Sequence, residues 1–283
     1  VTTDTSAEGM LRKYIATKRI EGKAESTIRR YYYENIKLIN YFGKKVNEIS
    51  TYDIRLYLSL QKHNKNLSNR TLDGMRRCYS SFFVWLITEG YITQNPCSSV
   101  NKIKYRKQIK KPFSTVELIA LRDSCKNIRD LALVEFLYST GCRVSEVSTL
   151  NISDVDLSTG ECKVLGKGNK ERIVYLSDVA QMRLKKYFFT RTDKNTALFC
   201  GKGTKRLTKG GIEAILKRIG KMANVKNTHP HRFRRTLATN LLDKGMSIQE
   251  VANILGHSNI TTTQIYCYIN QDNVKTSYYK YSA

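Results

Sequence analysis

The sequence predicts a mainly α-helical protein of two domains, of which the second contains a small antiparallel β-sheet. Three observations support this fold class. The chain has 283 residues, and domains typically span roughly 100–200 residues, so two domains are expected. Apolar side chains recur at helical spacing through most of the chain. Only two short segments have the composition of strands, and they flank one glycine-containing turn.

The first third of the sequence contains four segments in which apolar residues follow a helical period. Serine or threonine precedes two of these segments and glycine follows the same two, which are common signals for the start and the end of a helix. The predicted helices are residues 8–20, a helix from the cap Ser26-Thr27 to Gly43, residues 50–60, and a helix from Ser68 to Gly90.

The rest of the chain combines helices with one predicted hairpin. Ser114 and Glu117 have the spacing of a capping box, which marks the start of a helix. Residues 163–165 and 172–176 are predicted strands on either side of the turn 166–170. The predicted helices are residues 114–124, 129–138 (ended near Gly141), 211–222, 231–244, 247–255 and 261–269.

The charge balance indicates a polyanionic partner. Lys and Arg number 49 against 24 Asp and Glu, which gives a formal net charge of +25. The excess is +13 over residues 1–111 and +12 over residues 112–283, so both halves are expected to contact the polyanion. A hydrophobic fraction of 41% is enough for packed cores and excludes a disordered basic tail. No apolar run approaches the ~18 residues of a membrane span, and no signal peptide opens the chain, so we expect a cytoplasmic protein without membrane contact.

Residues 101–112 contain several basic residues and no acidic ones. Such a segment can join two domains while lying along phosphates. We therefore predict a first domain over residues 1–104, a basic linker over 105–112 and a second domain over 113–283. The basic residues predicted to contact the polyanion are Arg29, Arg30, Arg70, Arg76, Arg77, Lys104, Arg106, Lys107, Lys110 and Lys111.

Metal and nucleotide sites are not predicted. The seven cysteines are scattered, with no CxxC pair and no histidine at zinc-ligand spacing, which indicates a reducing compartment and no metal. The glycine- and lysine-containing segments at residues 166–170 and 201–205 lack the spacing of a phosphate-binding loop. ATP hydrolysis is therefore not supported.

Five short motifs in the second domain contain two arginines, a lysine, two histidines and a tyrosine, which suits phosphoryl transfer without a metal. Guanidiniums bind phosphate oxygens bidentately and offset the charge of a pentacovalent transition state. A lysine can protonate a leaving oxygen, imidazoles can transfer protons, and a tyrosine can be the nucleophile. Each residue alone has a commoner structural explanation, and only the ordered set favours chemistry. The motifs are residues 139–146, 166–168, 231–234, 255–258 and 261–266.

In their order and spacing, these motifs resemble those of the tyrosine site-specific recombinases, the lambda-integrase family, and most of all the compact Xer-type members. The resemblance covers nearly the whole chain. It implies an N-terminal four-helix core-binding domain of the SAM-like type and a C-terminal, mostly helical catalytic domain with a small antiparallel sheet.

The resemblance also implies roles for the cationic residues. Arg143 and Arg234 would clamp the scissile phosphate, and Lys167 would protonate the leaving 5′ oxygen. Glu146 matches the acidic position that supports the active-site arginines from behind. Taken by itself, the Arg143–Glu146 pair could equally be a surface ion pair, since the two residues are three apart.

His231 would assist proton transfer, His257 would hydrogen-bond the phosphate, and Tyr266 would attack it to give a 3′-phosphotyrosyl intermediate. Two positions depart from the family pattern. Arg235 stands where a histidine is frequent, and we expect no effect on the chemistry. Tyr268 also stands where a histidine is frequent and competes with Tyr266 as nucleophile; the nine-residue spacing from His257 favours Tyr266.

The implied substrate is double-stranded DNA with specific recombination sites, on which a homo-tetramer would exchange strands through a Holliday junction. An accessory protein is compatible with this assembly, and a C-terminal tail after Asn270 would dock on the neighbouring protomer. No cofactor is expected, because the phosphotyrosine bond conserves the energy for rejoining. Integration or excision of a mobile element and Xer-type resolution both stay open. The competing hypotheses are a catalytically silent DNA-binding regulator of the same fold and a type IB topoisomerase.

Overall fold

The computed structural model describes residues 6–106, 110–166, 171–257, 259–267 and 282. The chain divides into two compact units, residues 1–108 and 109–283. The predicted fold class is confirmed: the described residues form a mainly helical protein whose second unit contains a three-stranded antiparallel sheet. In this part of the chain, no helix is both long enough and apolar enough to cross a bilayer.

The first unit is built around an aromatic core between its first and last helices. Tyr14 packs against Phe82 and Trp85 with ring centroids 5.3 and 5.6 Å apart. The Tyr14 hydroxyl donates to Ser81 Oγ at 2.8 Å, so its polar end is satisfied inside the core. The four helices of this unit are α1 (Ala7–Ile20), α2 (Glu25–Phe42), α3 (Thr51–Lys65) and α4 (Asn69–Thr88).

The start of α2 differs from the prediction. The helix begins at Glu25 with Ala24 at its N-cap, so the prediction that Ser26 and Thr27 form the cap is wrong. The Ala24 carbonyl already accepts the amides of Thr27 and Ile28 at 2.8 and 3.1 Å. An acidic residue in the first helical turn is favoured by the helix dipole, which suits Glu25 in this position.

The other predicted helix ends of this unit agree better with the structure. Ser50 and Ser68 cap α3 and α4, each accepting a backbone amide of the first turn. Gly43 ends α2 in the left-handed conformation, with φ 61°. However, α3 continues past the predicted end at residue 60 to Lys65, because no breaker precedes Asn66, which takes φ 48° there.

The second unit surrounds helix α6, most of whose residues are buried and which packs against α8, α10 and strand β3. The elements of this unit are α5 (Thr115–Asp123), α6 (Ile128–Thr140), α7 (Val144–Val147), β1 (Val155–Asp156), β2 (Glu161–Leu165), β3 (Glu171–Tyr175), α8 (Asp178–Phe189), α9 (Lys209–Met222), α10 (Pro230–Asp243), α11 (Ile248–Leu255) and α12 (Thr261–Cys267). Three of them, β1, α7 and α8, lie outside the sequence-based predictions.

The sheet has the order β1-β2-β3, and both pairs of neighbouring strands are antiparallel. Cys162 lies opposite Val174, and both are buried, as is Val164 on the same face. Arg172 lies opposite Val164 and therefore also points toward the interior. This register places a cation on the core side of the sheet, close to the ends of α7 and α11.

Candidate active site

The site is organised by the C-terminal end of α11. Gly256 ends this helix in the left-handed conformation, with φ 64°. The carbonyls at a helix C-terminus have no partner within the helix and carry the negative end of its dipole. Three consecutive carbonyls here each accept a guanidinium: Ile254 from Arg172 Nε at 3.0 Å, Leu255 from Arg234 Nη2, and Gly256 from Arg143 Nη2 at 3.0 Å.

Glu146 joins two of these arginines from the other side. Its Oε1 accepts Arg143 Nη1 and Arg172 Nη1, both at 2.8 Å. Its Oε2 accepts the Arg143 backbone amide at 2.7 Å and Arg172 Nη2 at 2.9 Å. Burial alone would raise the pKa of Glu146, but the hydrogen bonds from Arg172 and Arg143 outweigh it and lower this pKa to about 2. The carboxylate is therefore charged at neutral pH and balances the arginines.

Arg234 is the most deeply buried cation of the group, with 3% of the residue exposed. Its Nη1 donates to the carbonyl of Gly141 at 2.9 Å. Gly141 ends α6 at φ 59°, as the sequence predicted, and this turn directs its carbonyl at the guanidinium. Burial and the nearby charge of Arg143 lower the pKa of Arg234 to about 10, which still leaves it charged at neutral pH.

The two predicted histidines lie in the field of these arginines. Burial, and next the charges of Arg234 and Arg143, lower the pKa of His257 to about 4 and also lower the pKa of His231. His257 Nδ1 shares a hydrogen bond of 2.7 Å with the hydroxyl of the fully buried Thr263, which fixes the ring orientation. Both imidazoles are therefore neutral near pH 7 and able to accept a proton.

Tyr266 lies beside the same cluster. Its ring stacks on that of His257, with centroids 6.4 Å apart and an interplanar angle of 27°. The half-buried ring also packs against the small apolar cluster formed by Ala238, Val251 and Leu255. The competing Tyr268 lies outside the described residues, as do Lys167 and most of the predicted tail after Asn270.

Comparisons with known proteins find relatives over most of the chain. The family model described as "Phage integrase family" matches residues 105–273, and "Phage integrase, N-terminal SAM-like domain" matches residues 10–93. The chain is 32% identical over 285 residues to the tyrosine recombinase XerD of Staphylococcus epidermidis, covering 95% of this chain and 97% of that one.

The chain belongs to the phage integrase family. It is a tyrosine recombinase of the Xer type, an enzyme that cleaves and rejoins DNA in site-specific recombination.

Two solved structures share its fold. The XerH recombinase bound to palindromic difH substrate is 21% identical, with a TM-score of 0.76 over 96% of this chain and 84% of that one. A lambda integrase tetramer bound to a Holliday junction is 19% identical, with a TM-score of 0.76 over 92% of this chain and 80% of that one.

The structure thus brings six predicted residues of this recombinase together and adds one that sequence reasoning missed. Arg172 lies between Glu146 and α11, and the strand prediction treated it only as the start of a strand. A signal was present, because alternation along the strand places Arg172 on the same face as the buried Val174. An inward-facing arginine in a strand needs a buried partner. The six are Arg143, Glu146, His231, Arg234, His257 and Tyr266.

The predicted DNA-contact residues divide into two groups. Arg76 is half-buried and its Nε lies 3.1 Å from Oδ1 of Asp73, a carboxylate that is only 4% exposed. Arg76 therefore has a structural role as the partner of a buried carboxylate. Lys107 lies outside the described residues. The exposed residues are Arg29, Arg30, Arg70, Arg77, Lys104, Arg106, Lys110 and Lys111.

The left-handed turn at Gly256 leads to a test. A Cβ at this position would lie 2.9 Å from Cδ of Arg172, and alanine at positive φ costs ~1–2 kcal/mol of stability. We expect Gly256→Ala to displace Arg172 and to reduce DNA cleavage far more than this loss of stability explains. Gly245→Ala is the matched control, since φ is 92° there and nothing lies within 4 Å of the added Cβ. Equal cleavage rates for the two variants, measured alongside urea unfolding, would contradict the prediction.

The low pKa of His257 predicts how stability depends on pH. The imidazole has a pKa of about 4 in the folded chain against an ordinary value of 6.5, so it contributes stability above pH 6.5. This contribution declines as the pH falls from 6.5 through 4, because the unfolded chain takes up the proton first. Histidine NMR titration of the DNA-free protein, assigned with His257→Gln, should give a midpoint well below 6.5. A midpoint at or above 6.5 would show that the arginines do not act on this ring.

Proposed function

We propose that Tyr266 is the nucleophile of site-specific recombination and that the arginine cluster on α11 is its phosphate-binding site. The observation that carries this proposal is the stacking of Tyr266 on His257, beside the guanidiniums of Arg143 and Arg234. A tyrosine, a neutral imidazole and two cations thus share one site. This arrangement suits in-line attack on a phosphodiester.

The arginines retain donors for the phosphate. A guanidinium has five N–H groups. In the described contacts, Arg143 and Arg234 each donate one hydrogen bond from Nη1 and one from Nη2. The remaining N–H groups of each side chain can bind the non-bridging oxygens. Because the carbonyls of α11 and Gly141 already fix both guanidiniums, little reorganisation is needed when negative charge develops in the transition state.

The proposed bond changes use the roles that the family resemblance implies for these residues. The Tyr266 oxygen bonds to phosphorus as the bond from phosphorus to the 5′ oxygen breaks, which leaves a 3′-phosphotyrosyl intermediate. The proton of Tyr266 passes to His231, and Lys167 donates a proton to the leaving 5′ oxygen. His257 hydrogen-bonds the phosphate. A 5′ hydroxyl from the partner duplex then gives its proton to Lys167 and attacks phosphorus. The bond to the Tyr266 oxygen breaks, this oxygen takes the proton back from His231, and no cofactor is consumed.

The proposed substrate is double-stranded DNA carrying paired recombination sites, bound by a homo-tetramer. The net charge of +25 supports a DNA substrate. The lambda integrase tetramer on a Holliday junction has the same fold, and XerH was solved bound to palindromic difH substrate. We extend the proposal to the linker at residues 105–112, which would lie along phosphates, and to the tail after Asn270, which would dock on the neighbouring protomer.

Covalent trapping tests the nucleophile. On a nicked suicide duplex carrying the recombination site, the wild type should form a covalent protein–DNA adduct. Tyr266→Phe should form none while still binding the duplex, and Tyr138→Phe, which changes another half-buried tyrosine of the same unit, should retain the adduct. No adduct from the wild type would favour the silent regulator, and an undiminished adduct from Tyr266→Phe would refute the assignment. Relaxation of supercoiled plasmid without paired sites would favour the topoisomerase.

Arg70 and Arg76 separate DNA contact from folding. Arg70 is exposed on α4, so we expect Arg70→Ala to weaken DNA binding and to reduce the slope of log affinity against log salt by about 0.9, the value for one phosphate. Arg76→Ala should instead lower stability, because it removes a partner from the buried Asp73 carboxylate. Binding titrations at several salt concentrations and urea unfolding measure the two effects. An unchanged salt slope for Arg70→Ala would remove this residue from the DNA interface.

A further inference from the structure

Arg172 points all three of its guanidinium nitrogens into the protein. Nε donates to the Ile254 carbonyl at 3.0 Å, and Nη1 and Nη2 donate to the two oxygens of Glu146 at 2.8 and 2.9 Å. Its side chain is 12% exposed, against 29% for Arg143. A bidentate pair of this kind fixes both partners in one orientation. Arg172 is thus turned away from the position of the phosphate.

We propose that Arg172 is a positioning residue of the recombination reaction, which aims Arg143 at the scissile phosphate by fixing Glu146 and the end of α11. The inference rests on the proposed function of Arg143. By this inference, a strand residue outside the five motifs controls the orientation of Arg143, one of the two proposed phosphate-binding arginines.

Two paths connect Arg172 to Arg143. In the first, Oε1 of Glu146 accepts both guanidiniums at 2.8 Å, so Arg172 determines where Arg143 finds its partner. In the second, Arg172 binds the Ile254 carbonyl and Arg143 binds the Gly256 carbonyl, two residues along the same helix end. One contact that orients the Arg143 side chain therefore lies on an oxygen that Arg172 also binds, and the other lies two residues from the carbonyl that Arg172 binds.

The position of Gly256 supports the same conclusion. A Cβ here would lie 2.9, 3.0 and 3.1 Å from three atoms of the Arg172 side chain. The close approach of the Arg172 side chain to the backbone thus depends on a residue without a Cβ. His257 follows directly, so the position of Arg172 also affects where the imidazole meets Tyr266.

The first test measures single-turnover cleavage of the suicide duplex. We expect Arg172→Gln to lower the cleavage rate on the order of 100-fold, which is the cost of misplacing a catalytic group by about 1 Å. DNA affinity should change little, because Arg172 does not face the substrate. Arg172→Lys keeps the buried charge but cannot form the bidentate pair, so it should fold and still cleave slowly.

Arg122→Gln is the matched control. Arg122 forms a comparable bidentate pair with the buried Glu135, at 2.6 and 3.1 Å, in the same unit. Among the described residues, this pair makes no hydrogen bond to Glu146 or α11. Loss of either pair should lower the midpoint of unfolding, but only loss of the Arg172 pair should lower the cleavage rate.

A neutral substrate distinguishes positioning from a general structural role. When a methyl group replaces one non-bridging oxygen of the scissile phosphate, the charge that Arg143 offsets is absent. The defects of Arg172→Gln and Arg143→Ala should then both shrink at least several-fold on the methylphosphonate duplex. A purely structural defect would be the same on both substrates, and that result would overturn the proposal.

The outcomes separate this inference from the proposed function. If the wild type forms no Tyr266-dependent adduct, the proposed function fails. If the wild type forms the adduct and both Arg172 variants cleave at the wild-type rate, the positioning role alone fails. A slow Arg172→Lys variant whose defect shrinks on the neutral substrate supports the proposal even where Arg172→Gln does not fold.

Discussion

The site depends on one electrostatic constraint: three guanidiniums must lie close together inside the protein before any DNA is present. Two like charges 4 Å apart repel by ~4 kcal/mol at an effective dielectric constant of about 20. The structure offsets this repulsion with the Glu146 carboxylate and with three carbonyls at the end of α11. The compensation is incomplete, because the pKa of Arg234 and of both histidines is lowered by burial and by the neighbouring arginines. The site therefore carries excess positive charge, which suits the phosphate binding proposed for it.

Two glycine turns direct the carbonyls that offset this repulsion toward the arginines. Gly141 and Gly256 end α6 and α11 at φ values of 59° and 64°, and each left-handed turn leaves carbonyls directed at an arginine. Side chains at both positions would collide with the packed interior. The carbonyls at these two helix ends thus supply partial negative charge to the arginines without further carboxylates. Carboxylates facing the substrate would repel it, whereas carbonyl dipoles at the back of the site do not.

Much of the fold and most of the site follow from local sequence signals, and the exceptions are long-range contacts. Helical spacing located α3, and the serine before α4 and the glycine after α6 located those helix ends, because these signals act within a few residues. The cap of α2 was wrong because a helix can begin without a side-chain cap when its first carbonyl is already engaged. Arg172 was missed because its partners lie 26 and 82 positions away, and no local pattern encodes that pairing. For the same reason, the sequence could not show that Arg76 and Arg77 both lie beside the buried Asp73, or that only Arg77 is exposed there.

The function of each cation therefore depends on whether its N–H donors point to solvent or into the protein, more than on the number of cations. Exposed lysines and arginines act on DNA through a field that salt screens over about 8–10 Å. The arginines of the site bind carbonyls and a carboxylate, and Arg172 and Arg234 are largely buried, so salt screens them less. Raising the salt concentration should thus weaken capture of the duplex strongly while leaving the rate of cleavage at saturating DNA nearly constant. Lysines and arginines thus serve both DNA affinity and catalysis in this chain. Salt should weaken the contribution of the exposed ones to affinity far more than that of the buried ones to catalysis.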